Sequence, residues 1–143
     1  MILIADSGST KCNWAACSND GKIIQIHKTI GFNARYTSDK NLLDALEEST
    51  LKPIKEKITA LYFYGAGCSS PGRNRILAKP MQRFFPHANI HIKHDLEAAV
   101  KATYTNRPII CSILGTGSNS CFYDGKNIIE NAPSLGYIAG DEA

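Results

Sequence analysis

Ile2-Leu3-Ile4-Ala5-Asp6-Ser7-Gly8-Ser9-Thr10-Lys11-Cys12-Asn13-Trp14-Ala15-Ala16 reads as strand, tight turn, strand. The apolar run Ile2–Ala5 suits a strand buried on both faces. Asp6 ends that run, Ser7-Gly8-Ser9-Thr10 is a small polar turn, and Cys12–Ala16 is the returning strand. Gly8 admits a backbone conformation, or a close approach, that a side chain would block. Successive N–H groups in such a turn, beside hydroxyls and Lys11, make a nest for an anion such as phosphate. Asp6, at the strand end, can hold a hydrated Mg²⁺ through oxygen. The same residues also read as a polar hairpin turn with one acid at its mouth.

Working outward, Asn19-Asp20-Gly21-Lys22 is a hairpin turn and Ile23–Ile30 a third strand, so the chain opens as an antiparallel meander. Gly31-Phe32-Asn33-Ala34-Arg35 then leaves the sheet. Ser38 caps a predicted helix over Asp39–Ser49, with Leu42, Leu43 and Leu46 on one face, and a short helical segment begins near Pro53. Ile58–Tyr64 is a fourth strand, with Tyr62, Phe63 and Tyr64 expected in the sheet core, and Gly65-Ala66-Gly67-Cys68 is a small-residue loop. Pro71–Phe85 has helical tendency, with a break or kink expected at Pro80. Asn89–Lys93 is a fifth strand, and Leu96–Tyr104 a helix with Asp95 at or near its cap. Strand–helix alternation after the meander implies parallel strands joined by right-handed crossovers.

Asn106-Arg107-Pro108 is a turn or boundary, after which the opening pattern returns. Ile109–Leu114 is a strand, Gly115-Thr116-Gly117-Ser118-Asn119-Ser120 a loop, Cys121–Tyr123 a returning strand, Asp124-Gly125-Lys126 a turn, and Asn127–Glu130 a strand. Ile109–Glu130 thus echoes Ile2–Ile26, with the Asp-Gly-Lys turn in register, and such a repeat suggests two related domains. We divide the chain into domains at 1–106 and 107–143.

With 143 residues, 43% of them hydrophobic, the chain can bury a real core. Its net charge of +3, without long basic runs, gives no reason to expect a nucleic acid or membrane partner. The early Asp6 argues against a signal peptide. Its five cysteines lack CxxC spacing and suit a reduced, cytoplasmic protein without a disulfide frame or zinc site. The histidines His27, His87, His91 and His94 form no metal-like pattern.

Five stretches together resemble the BadF/BadG-type ATPases (the BadF/BadG/BcrA/BcrD group), and among them the N-acetylglucosamine kinases of the sugar kinase/Hsp70/actin superfamily. They are ADSGSTK near the start, FNAR at 32–35, HDLEAA at 94–99, LGTGSNS at 114–120 and GYIAGDEA at 136–143. The resemblance implies an actin-like ATPase (ribonuclease H-like) α/β domain, its mixed sheet in order 3-2-1-4-5 with helices on both faces, followed by the opening strands of a second similar domain. It implies ATP and Mg²⁺ as cofactors and a small-molecule sugar as substrate. Asp6, Gly8, Ser9, Thr10 and Lys11 then form the first phosphate turn, with Asp6 near the metal. Gly115, Thr116, Gly117 and Ser118 form the second. Asp95 becomes the general base toward the sugar 6-hydroxyl, a role that competes with that of a plain helix cap. Asn33, Asn119, Gly136 and Asp141 become sugar-binding groups. Leu135 stands where the kinases often carry an aromatic, and Ala143 where the family continues with Gly-Ser.

The implied activity is ATP-dependent phosphorylation of an amino sugar, N-acetylglucosamine at O6 foremost. One alternative is an ATP-hydrolysing activator or regulator that phosphorylates no sugar, and another is a catalytically dead sugar-binding module. Family members run to roughly twice a typical 100–200-residue domain. The chain is therefore expected to be a fragment with little turnover alone, prone to self-association through the exposed strands of its second domain.

Overall fold

The computed structural model describes residues 1–115 and 118–132. The chain divides into two compact units, the second beginning at Asp95. The first contains strands β1 (Ile2–Ser7), β2 (Lys11–Cys17) and β3 (Ile23–Ile30), helix α1 (Asp39–Glu47), a 3₁₀ turn (Lys52–Lys57), strand β4 (Ala60–Gly65), helix α2 (Pro71–Phe84) and strand β5 (Asn89–His94). Its five strands lie in the order β3-β2-β1-β4-β5, as expected from the sequence. β1 is antiparallel to β2 and parallel to β4, and β4 is parallel to β5.

Alternation along the strands sends Leu3, Ala5, Trp14, Ala16, Leu61 and Phe63 to one face, where they are buried. Leu42 and Leu46 of α1 and Leu77, Met81 and Phe84 of α2 join the same core, so both helices pack on this side. Trp14 is its centre, with ring centroids 6.2 Å from Phe32, 5.9 Å from Phe63 and 6.3 Å from Phe85. Ser38 caps α1, its side chain accepting from the Asn41 N–H, and Ser70 does the same for α2 toward Arg73.

α2 runs through Pro80, where the sequence reading expected a break or kink. The missing N–H costs a helical hydrogen bond, and burial of the Pro80 ring in the packed side of the helix offsets it. Of the Tyr62-Phe63-Tyr64 run, only Phe63 is buried in the core. Tyr62 points to the opposite face, 37% exposed, and stacks on His91 with ring centroids 4.8 Å apart.

His27, on β3, is buried; its Nδ1 lies 2.7 Å from Thr50 Oγ1, and its Nε2 is buried without a hydrogen-bond partner. Burial holds its pKa below the ordinary imidazole value. Above about pH 6.5 the ring is neutral in both folded and unfolded chains, and the site is at full stability. As pH falls below that value the unfolded chain takes the proton first, so native stability falls. The urea midpoint is therefore expected to drop between about pH 7 and pH 5. His27→Gln should flatten that slope, and an unchanged slope would sink the assignment.

The second unit holds helix α3 (Asp95–Thr103) and strands β6 (Ile109–Leu114), β7 (Ser118–Tyr123) and β8 (Ile128–Ala132). The strands form an antiparallel meander in chain order. Leu96 and Val100 of α3 pack with Cys111 and Cys121 of the sheet. The boundary drawn at residues 106/107 falls inside this unit, between α3 and β6. The internal repeat is visible in the backbone: Gly21 and Gly125, the centres of the matched Asp-Gly-Lys turns, have φ of 86° and 102°. Ser118, Asn119 and Ser120, read as loop from sequence, already pair in β7 opposite Leu114, Ile113 and Ser112.

Candidate functional site

β1 and β4 run parallel, and the connection from β1 into β2 lies at their carboxyl ends, where α/β sheets place ligands. Three segments of the first unit meet there. The turn Ser7–Lys11 is closed by the Gly8 N–H donating to the Lys11 carbonyl at 3.0 Å. The segment after β3 is tied to it at three points. The Gly31 N–H donates to the Thr10 carbonyl at 3.0 Å, the Phe32 N–H to Ser7 Oγ at 2.8 Å, and Asn33 Nδ2 to Ser9 Oγ at 3.0 Å. The loop after β4 closes the set, since the Ala66 N–H donates to the Ser7 carbonyl at 2.8 Å and the Ala66 carbonyl accepts from Ala34 N–H at 3.2 Å.

Gly8 is uncrowded by the protein itself. Its φ is not positive, and a Cβ there would find its nearest neighbour, the Lys11 carbonyl oxygen, at an ordinary 3.8 Å. Ser7, by contrast, is fully buried, its hydroxyl accepting from the Phe32 N–H of the segment after β3, which straps the turn. Asn33 is fixed from both ends, its Oδ1 accepting from the Arg35 N–H at 2.9 Å. Gly67 makes room for that oxygen, since a Cβ there would stand 2.6 Å from it.

Asp6 is exposed on the sheet face opposite the Trp14 core. Register places it in a polar row that runs Lys28–Asn13–Asp6–Tyr64–Lys93 across the strands. The thiol of Cys12, on the buried side, is pushed up to about 12 by burial, with the nearby Asp6 charge adding to it. All five cysteines are buried. No group of three or more His, Cys, Asp or Glu side chains is placed to hold a metal among the described residues. One exposed carboxylate beside a hydroxyl-rich turn still fits Mg²⁺, which keeps most of its waters and takes remaining oxygens from substrate phosphates.

The second unit carries Asp95 at the first position of α3, its Oδ1 accepting from the Leu96 N–H at 3.0 Å. Gly115 follows β6, and Ser118 and Asn119 open β7, with Asn119 Oδ1 accepting from the Ser120 N–H at 2.9 Å. Thus Asp6, Gly8, Ser9, Thr10, Lys11 and Asn33 come together in the first unit, while Asp95, Gly115, Ser118 and Asn119 belong to the second. Thr116, Gly117, Gly136 and Asp141 lie outside the described residues. The sequence reading did not single out Gly31, whose contribution is a backbone contact that no residue type advertises. A glycine directly after a strand was the one available signal for Gly31.

No protein-family model matches the chain, and no curated protein does. Among solved structures, a candidate N-acetylglucosamine kinase from Porphyromonas gingivalis is 39% identical, with a TM-score of 0.86 over 99% of this chain and 50% of that one. A candidate N-acetylglucosamine kinase from Chromobacterium violaceum is 18% identical, with a TM-score of 0.65 over 98% of this chain and 50% of that one. A candidate sugar kinase from Cytophaga hutchinsonii is 15% identical, with a TM-score of 0.60 over 96% of this chain and 53% of that one. The chain thus spans about half the length of the structures it matches. Its fold is the mixed α/β, actin-like fold of these sugar-kinase structures.

Proposed function

We propose that the protein containing this chain is an ATP-dependent sugar kinase that phosphorylates N-acetylglucosamine at O6. The observation that carries this reading is the likeness, at 39% identity along nearly the whole chain, to a candidate kinase of that sugar. The BadF/BadG-type motifs read from the sequence agree with it. Bound ATP supplies the phosphoryl group and Mg²⁺ neutralises charge on it. The turn Gly8–Lys11 would present backbone N–H groups, hydroxyls and the Lys11 ammonium to phosphate, and Asp6 would hold the metal through its waters. Gly115, Thr116, Gly117 and Ser118 would form the second phosphate turn. Asn33, Asn119, Gly136 and Asp141 would fix the sugar. Asp95, oriented through its Oδ1 by the Leu96 N–H, would accept the 6-hydroxyl proton as that oxygen attacks.

No described helix is long and apolar enough to cross a membrane. Five cysteines without CxxC spacing suit a reducing compartment, and we place the protein in the cytoplasm. The test is ATP-dependent phosphorylation of a panel of amino sugars and hexoses by the full-length protein, wild type beside Asp95→Asn. Phosphorylation of N-acetylglucosamine, lost in the variant, supports the reading. Sugar-independent ATP hydrolysis would favour a nucleotide-driven activator or regulator.

For the 143-residue chain alone we propose self-association through the second sheet. β6 and β8 are its edges, and Ile110 and Leu114 of β6 are 80% and 74% exposed. Sedimentation should show concentration-dependent oligomers that Ile110→Lys reduces. A monomer across the micromolar range would refute this.

A further inference from the structure

The turn read as the phosphate site is held from outside as well as by its own strands. Gly31 lies against it so closely that a Cβ there would stand 2.2 Å from the Gly8 carbonyl oxygen, 2.6 Å from the Ser9 carbonyl carbon and 2.7 Å from the Thr10 nitrogen. All three are backbone atoms, which cannot swing aside as the end of a long side chain can. The contact is closed by the Gly31 N–H bond to the Thr10 carbonyl and flanked by the Phe32–Ser7 and Asn33–Ser9 bonds. Gly8 itself is uncrowded. The steric demand for a glycine therefore sits on the strap after β3 and not within the turn.

We propose that Gly31 is a positioning residue for the phosphate turn. Its bare Cα lets the strap seat directly on the Gly8–Thr10 backbone and so fixes where the N–H groups of that backbone point. A methyl at residue 31 must lift either the strap or the turn, because neither neighbour can yield by a rotamer change. This rests on the turn being the nucleotide-phosphate site, as set out above. A displacement of even an ångström there spoils several directional bonds at once.

The test is calorimetric titration of the full-length protein with the Mg²⁺ complex of the β,γ-imido analogue of ATP, which reads binding without turnover. Wild type is run beside Gly31→Ala and Gly72→Ala, since Gly72 has open space where its Cβ would stand. Gly31→Ala is expected to bind the analogue at least about tenfold more weakly. Gly72→Ala should stay within about twofold of wild type. Circular dichroism and the urea midpoint, taken on the same samples, show whether Gly31→Ala is folded, which a purely structural role would not permit alongside so large an affinity loss. Gly31→Ala folded and within twofold of wild type overturns the inference and leaves the nucleotide reading standing. Wild type that fails to bind overturns both. If Gly31→Ala does not fold, Asn33→Ala decides, because it removes the side-chain tie from the strap to Ser9 and leaves the hydroxyls of the turn in place. A loss of about threefold or more then supports the strap's role, and unchanged affinity overturns it.

Discussion

Trp14→Ala lowers the unfolding free energy of the first unit by about 3–5 kcal/mol. Trp14 is fully buried, and its ring meets Phe32, Phe63 and Phe85. Those three rings come from the strap, from β4 and from the residue after α2, so one side chain joins segments distant in sequence. Its Nε1 also donates to Thr29 Oγ1 at 2.9 Å on the adjacent strand. Truncation leaves a void that partners held by sheet and helix can fill only in part. Since a domain of this size is stable by about 5–15 kcal/mol, the variant should be marginal or unfolded. Trp14→Phe keeps most of the packing and loses the N–H bond, for an expected cost of about 1–2 kcal/mol. Urea unfolding followed by circular dichroism measures both. A loss under about 1 kcal/mol for the alanine variant would mean that the aromatic cluster repacks freely.

Asp95→Asn should reduce kcat for sugar phosphorylation by about 10²–10⁴-fold in the full-length protein, if Asp95 takes the hydroxyl proton. The substitution discriminates between the two roles open to this residue. Asparagine caps a helix about as well as aspartate, so a residue needed only for the start of α3 loses little on the change. A general base loses its proton acceptor altogether. Unfolding stability should therefore hold within about 0.5 kcal/mol while turnover collapses, and nucleotide affinity should stay near wild type. Retained turnover would return Asp95 to a structural part in α3.

Much of the architecture was legible because local chemistry and the global fold agree. The Asp-Gly-Lys turns need a left-handed glycine, and the flanking strands alternate, so the succession of strands and turns in both meanders could be read. The Ser38 cap was readable for the same reason. What escaped the reading depends on neighbours distant in sequence. Tyr62 and Phe63 differ in burial because the helices of the first unit pack on the Trp14 side, which no alternation within YFY can reveal. Pro80 stays in its helix because packing outweighs a missing hydrogen bond. The beginning of β7 at Ser118 was hidden because polar Ser-Asn-Ser resembles a loop until a partner strand is known. In the candidate site, the chemical groups were visible in ADSGSTK and FNAR. The close packing between them rests on Gly31, which the sequence reading placed only as leaving the sheet.

The strand order β3-β2-β1-β4-β5 puts the earliest strand of this sheet in its middle. β1 finds β2 within a few residues, but its other partner pairs Ile2 with Ala60. During synthesis the meander can therefore form early, yet it keeps one central edge unpaired until the fourth strand has emerged. Closing that long loop costs entropy before any contact repays it, so the parallel pairing should be the slow step of assembly. The half-built sheet presents at that stage an apolar edge that the finished protein never shows. Crowding and temperature should then act on yield through this interval more than through the stability of the completed fold.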